Sequence, residues 1–125
     1  MQFIYVAIGG AVGSVMRYLM ALFVGHYSGN EFPYATLIIN ITGSMIMGLL
    51  IGWIARTTPA HAREIHLFVA VGVLGGYTTF STFSLDAINL MEEGKLLAMG
   101  IYIAASGICS LIGLYAGLQL VRAIG

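Results

Sequence analysis

The sequence predicts an all-α integral membrane protein, one domain over residues 1–125, with four transmembrane helices of which the third is broken. Three observations predict it. Hydrophobic residues make up 59% of the 125 residues and charged residues 8%, against roughly 25% charged in a soluble domain, so the chain lacks the polar surface that water requires. Five Lys/Arg, five Asp/Glu and two prolines divide it into four apolar runs, each near the about 20 residues that a helix needs to cross a hydrocarbon core of about 30 Å. In the third run a glycine pair and a group of hydroxyls interrupt the apolar pattern at mid-membrane depth. The net charge of zero gives nucleic acid no electrostatic footprint. The single cysteine, Cys109, excludes an intrachain disulfide and a cysteine-rich metal centre, and its apolar surroundings make it a small packing residue.

The first run is placed at Phe3–Val24. The stretch MQFIYV before and within it has no basic residue and no small-residue cleavage site follows, so it reads as a retained span and not as a secretory signal. Gly9 and Gly13 lie four apart on its surface. The second run, Ala35–Ala55, follows the polar connection HYSGNEFP, with Pro33 at its boundary, and lines Ser44, Gly48 and Gly52 along one face. The third, Leu67–Met91, follows RTTPAHAREIH. The fourth, Leu96–Val121, follows EEGK and carries Ser106, Ser110, Gly113 and Gly117 on one face. Small residues at this interval let helix backbones approach closely in lipid. They do not say whether the contact is within one chain or between two. No connection is long enough to hold a second domain, and a bundle this small encloses little of a pathway alone, so a transport function calls for an oligomer.

Four spans put both termini and the second connection on one side, with Arg56, Arg63 and Arg122. The other side has Lys95, joined by Arg17 if that side chain reaches toward it. Lys/Arg asymmetry sets orientation, and this margin is thin. A dual-topology protein and an ordinary termini-inside protein both fit.

Polar groups inside a span cost free energy unless paired, which makes each a functional candidate. Arg17 reads either as a snorkelling anchor or partner of Asp86, or as a fixed positive charge that draws an anion toward a vestibule. Asn40 reads either as an interhelical hydrogen bond or as an amide donor to a passing anion. Asp86 lies near the end of its span, where it is expected to be solvated. His26, His61 and His66 fall in connections or at span ends and read as interfacial side chains, not relays or metal ligands. No Glu, Asp or His occupies the centre of a span.

The stretch GGYTTFSTFS, residues 75–84, carries the most information. Glycine costs about 1 kcal/mol relative to alanine in a helix, and threonine is a poor helix former, so the helix is expected to weaken at Gly75-Gly76. Free carbonyls and amides at bilayer depth are tolerated only where they face protein, a cavity or an ion. Phe80 and Phe83 share a face, interleaved with Ser81, Thr82 and Ser84. Ring edges carry positive potential, so rings and hydroxyls together suit a small, hard anion. Equally, phenylalanines pack and hydroxyls bond back to the preceding turn. The residues alone reach a four-span membrane protein whose broken third helix is a candidate lining for an ion path.

GGYTTFSTFS resembles the signature of the small Fluc-type (CrcB) fluoride channels of microorganisms. GGAVGSVMRY at 9–18 is similar to that family's first-span pattern with its arginine, and TLIINITGS at 36–44 to its second-span pattern with Asn40 at the polar position. The match covers essentially the whole chain. The resemblance implies an antiparallel, dual-topology homodimer in the cell membrane with two pores, through which fluoride leaves the cytoplasm passively and selectively. It implies ring-edge contacts to fluoride from Phe80 and Phe83, a pore-lining donor at Asn40, and a hydroxyl track that includes Ser81, Thr82 and Ser110, with Tyr102 near the pore. Arg17 would sit at the anion vestibule. It further implies one structural sodium ion at the dimer centre, held by backbone carbonyls of Gly75 and Thr78 from each copy. The partners are then fluoride, a second copy of the chain and the bilayer, with no nucleic acid and no enzymatic reaction. Two other classes remain. A small proton-coupled exporter should carry a membrane-embedded glutamate in its first span, and none is present. A non-transporting assembly subunit explains the glycine faces but not the hydroxyl–phenylalanine run.

Overall fold

The computed structural model describes residues 1–124, and among them there is helix and no strand. Helix α1 covers Gln2–Ser28 and α2 covers Tyr34–Thr57. The third span starts with α3 (Ala62–Ile65), continues as a π-helical stretch (His66–Leu74) and α4 (Gly75–Tyr77), and ends with α5 (Phe80–Glu92). Helix α6 covers Leu96–Ile124. The four expected runs each fall inside one of four stretches long and apolar enough to cross a membrane, the third extending over Ala62–Glu92.

The connections are short and locally determined. Gly29, with φ 74°, ends α1 in a backbone region open to glycine, and Gly94, with φ 77°, makes the tight turn from α5 to α6. Thr58 adopts the left-handed conformation after α2, its amide bonded to Ile54 O at 2.9 Å, and Pro59 cannot continue the helix.

Spans adjacent in sequence are not the closest in space. α1 packs mainly on the third span, and α2 on α6. Glycine creates both contacts. A Cβ at Gly9 would strike Phe68 O, one at Gly13 would strike Val73 O, and one at Gly76 would lie 2.6 Å from Gly10 O. In the other pair, a Cβ at Gly48 would strike Leu114 O and one at Gly117 would lie 2.5 Å from Met45 O. These small-residue faces therefore act within the chain. On the third span the points that meet α1 are Phe68, Gly72–Val73 and Gly76–Tyr77. That interval of four to five residues suits the i→i+5 bonding of the π stretch, which turns successive contacts onto one face.

Between α4 and α5 the backbone is extended at Thr78 (φ −77°, ψ 157°) and Thr79 (φ −151°, ψ 123°). Gly75 and Gly76, where the sequence leads one to expect the weakening, are helical. Gly76 lacks a side chain because α1 lies against it, and the extended residues come two positions later. Thr79 then caps α5, its Oγ1 accepting from Thr82 N at 3.2 Å. A small core of Ala87, Leu90 and Tyr102 lies between α5 and α6 under Phe32, Leu37 and Phe83.

Candidate functional site

The extended pair Thr78–Thr79 is held from two neighbouring helices. From α2, Asn40 Oδ1 accepts from Thr79 N at 2.9 Å and Asn40 Nδ2 donates to Thr79 O at 3.0 Å. Thr42, also on α2, shares a 2.9 Å hydrogen bond with the buried Tyr77 hydroxyl. From α1, Arg17 Nε donates to Gly76 O at 3.0 Å. In an unbroken helix Gly76 O would accept from the amide four residues on, so Arg17 replaces a donor that the extended backbone removes. This removes one reading of Arg17: the side chain serves the third span's backbone and is not paired with Asp86.

Asp86 is half-buried beside an open pocket, and it is also bonded within the bundle. Its Oδ2 accepts from Thr36 Oγ1 at 2.7 Å and from Tyr102 OH at 3.1 Å. The carboxylate thus ties α2, α5 and α6 together. Tyr102 is 0% exposed, one layer behind Phe83, with ring centroids 5.2 Å apart at 39°. Phe32 also packs edge-on against it, at 5.6 Å and 89°. Thr36, Asp86 and Tyr102 therefore form a bonded support for the Phe83 ring.

Beside the break a groove of about 510 Å³ opens on the flank of the bundle, its wall including Asn40, Ser44, Phe80, Phe83, Ser106 and Ser110. Phe80 and Phe83 lie with centroids 5.5 Å apart at 46°. Phe83 is half-buried, whereas Phe80 is 78% exposed and stands out from the bundle. Ser106 and Ser110 bury their Oγ atoms in the groove with no hydrogen-bond partner in the chain. An unmatched buried hydroxyl costs about 1–3 kcal/mol.

The expected site residues do not all converge. Asn40, Thr78, Phe80, Phe83 and Ser110 share the groove. Ser81 is exposed outside it, with its Oγ 3.4 Å from Thr79 Oγ1, and Thr82 is engaged through its amide at the α5 cap. Gly75 lies before the break, in α4. Two participants were not singled out as site residues. Ser106 falls at the four-residue interval Tyr102–Ser106–Ser110, which was the available signal, although the sequence reading used it only for close packing. Thr36 had no local signal, because its partner Asp86 is 50 residues away. Cys109, expected to pack, is exposed. His26, His61 and His66 are exposed, and among the described residues no three His, Cys, Asp or Glu side chains form a metal-binding group.

Comparison with known proteins places this geometry in context. The family model for CrcB-like protein, Camphor Resistance (CrcB), matches residues 4–118. The fluoride-specific ion channel FluC of Rhodospirillum centenum (strain ATCC 51521 / SW) is 49% identical over 117 residues, covering 94% of this chain and 92% of that protein. The protein of the same name from Agrobacterium fabrum (strain C58 / ATCC 33970) is also 49% identical over 117 residues, covering 94% of this chain and 93% of its own length. Fluoride-specific ion channel FluC 1 of Nitrobacter hamburgensis (strain DSM 10229 / NCIMB 13809 / X14) is 48% identical over 119 residues, covering 95% and 94%.

Proposed function

Since the chain belongs to the CrcB-like family and is a multi-pass membrane protein, we propose that it is a fluoride channel of the plasma membrane. It releases fluoride from the cytoplasm passively and selectively, through two pores in an antiparallel homodimer. The observation that carries this reading is the groove beside the break, whose uncharged lining brings together Asn40, Phe80, Phe83, Ser106 and Ser110, the two serine hydroxyls buried without a partner in the chain.

The chemistry follows from fluoride itself. Hydrogen fluoride is a weak acid that crosses bilayers uncharged and loses its proton in a neutral cytoplasm, which traps the anion. A passive path is then enough to release it. Fluoride holds its water tightly, so a pore must replace that shell with many small donors. Asn40, Ser106 and Ser110 supply an amide and hydroxyls, and Phe80 and Phe83 supply positive ring edges without a full charge that would bind the ion too firmly. In the open groove of one copy these groups line one wall. The exposed Phe80 ring is then available to a second copy, which would close the path.

The backbone at the break fits the sodium ion that this family reading carries. Besides Gly76 O, which Arg17 serves, Gly75 O and Thr78 O lose their helical donors there: Thr79 N, the natural partner of Gly75 O, goes to Asn40, and Thr82 N, the natural partner of Thr78 O, goes to Thr79 Oγ1. Unwound carbonyls of this kind coordinate sodium in membrane proteins. Gly75 and Thr78 from each copy would hold the ion, which neutralises their dipoles and joins the copies without being transported. A proton-coupled exporter fits less well, because Asp86 is engaged by Thr36 and Tyr102. An assembly subunit leaves the groove hydroxyls without a purpose.

Ion efflux from liposomes containing the purified protein tests the reading. Fluoride should leave rapidly and chloride hardly at all, with no proton gradient applied. Equal flux of the two halides, or flux only with a proton gradient, rules the channel out.

A further inference from the structure

Asn40 stands where the carbonyls of the break meet the groove, and one residue engages both the oxygen and the nitrogen of its amide. Oδ1 takes the Thr79 amide and Nδ2 gives to the Thr79 carbonyl, at 2.9 and 3.0 Å. A residue presents both its N–H and its C=O to one partner in the manner of an antiparallel ladder, where opposite residues exchange two bonds. In a helix the same two groups point to opposite ends of the axis. The Asn40 amide therefore selects the extended Thr79, at φ −151° and ψ 123°, over a helical one. Its short side chain reaches because Gly43, on the same face of α2, lets that helix lie flush against the break: a Cβ there would strike Thr78 Cγ2.

The geometry points to Asn40 as a positioning residue: by latching Thr79 in the extended form it keeps the Gly75 and Thr78 carbonyls free of helical donors, and so couples the cation centre to the groove. This rests on the proposed reading for the cation itself. Releasing the latch returns Thr79 N to Gly75 O, and helical Thr79 then no longer offers Oγ1 to Thr82 N as an N-cap. One side chain thus sets both carbonyls. The amide nitrogen carries a second N–H, which remains for the groove while the latch is closed.

The test separates the latch from the pore wall. Asn40→Leu removes both bonds at similar volume. Asn40→Asp keeps the acceptor for Thr79 N and loses the donor to Thr79 O. Thermal unfolding of the detergent-solubilised protein is followed while sodium replaces N-methylglucamine at constant ionic strength, beside fluoride efflux from liposomes. Sodium should raise the melting temperature of the unaltered protein. Asn40→Leu should need at least about tenfold more sodium for the same effect, or lose it. Asn40→Asp should stay within about threefold of the unaltered protein, because the bond that frees Gly75 O survives, even though its carboxylate repels fluoride and efflux falls. An unchanged sodium midpoint in Asn40→Leu overturns the latch, and so does equal loss in both variants. An unaltered protein that melts without regard to sodium overturns the coupling. A sodium response graded as described, in a protein that passes no fluoride, upholds the latch and overturns the channel reading instead.

Discussion

Phe80 and Phe83 are three residues apart and live in different surroundings. Phe83 leans on Tyr102, whose hydroxyl is bonded to Asp86, itself bonded to Thr36. Phe80 is largely exposed in the single chain. On the proposed reading both rings face fluoride by their edges, so Phe80→Ile and Phe83→Ile should each lower fluoride efflux by about fivefold, an edge contact being worth on the order of 1 kcal/mol. Their stabilities should differ. Phe83→Ile gives up the tilted ring contact with Tyr102 at about 1–2 kcal/mol, while Phe80→Ile should leave the protomer's melting unchanged. Normal efflux from either variant would show that its ring only packs. At this scale the sequence was legible where a residue's neighbours are its own chain neighbours, as with the phenylalanine pair. It was incomplete at Asp86, because position along a span says how near a carboxylate is to water but not that Thr36 and Tyr102 wait for it on two other helices. Ser106 shows the same limit, since a small residue that packs on a neighbour and one that lines a groove look the same in one dimension.

The third span joins four pieces of helix with two extended residues, and each interruption is held by another element. The π stretch and α4 turn Phe68, Gly72 and Gly76 toward α1, while α2 clamps the extended pair. The two glycines of GGY then have separate tasks. A Cβ at Gly76 would lie 2.6 Å from Gly10 O and 3.2 Å from Ser14 N, whereas one at Gly75 would meet only Ala70 O, at 3.6 Å. Gly76→Ala should therefore destabilise the protomer by about 1–3 kcal/mol through overpacking. Gly75→Ala should leave it as stable or gain up to about 1 kcal/mol, since alanine is the better helix former. Melting of the two variants in detergent decides this, and equal losses would mean that α1 does not rest on Gly76 as described. The apolar runs themselves were plain in the sequence because hydropathy is a local property. Which runs pair was not, because a stripe of small residues permits close approach without naming its partner, and α1 meets the third span while α2 meets α6.

At the scale of the whole molecule, the charges and the open groove bear on one question. The side that holds the termini and the second connection carries Arg56, Arg63 and Arg122. The opposite side carries Lys95, whose Nζ lies 3.4 Å from Glu93 and donates to Glu31 O at 3.4 Å. Arg17 adds little there, being bonded to Gly76 O inside the bundle. A difference of two basic residues is a weak instruction to the insertion machinery, and acidic residues count for little in it. The groove, meanwhile, is walled on one side by this chain and flanked by the exposed Phe80. A second copy turned over in the membrane would close it and receive the same closure in return, as a twofold relation requires. Both orientations should therefore coexist in one cell membrane. The exposed Cys109 must first be replaced, by Cys109→Ala, so that it does not react. Ala60→Cys in the second connection and Glu93→Cys at the end of α5 then report the two sides to a membrane-impermeant maleimide on intact cells. If the orientation is dual, each variant labels in part from outside and completely after the membrane is opened. Complete protection of one position together with complete labelling of the other would mean a single orientation, and the groove would have to be closed by a parallel copy or by lipid.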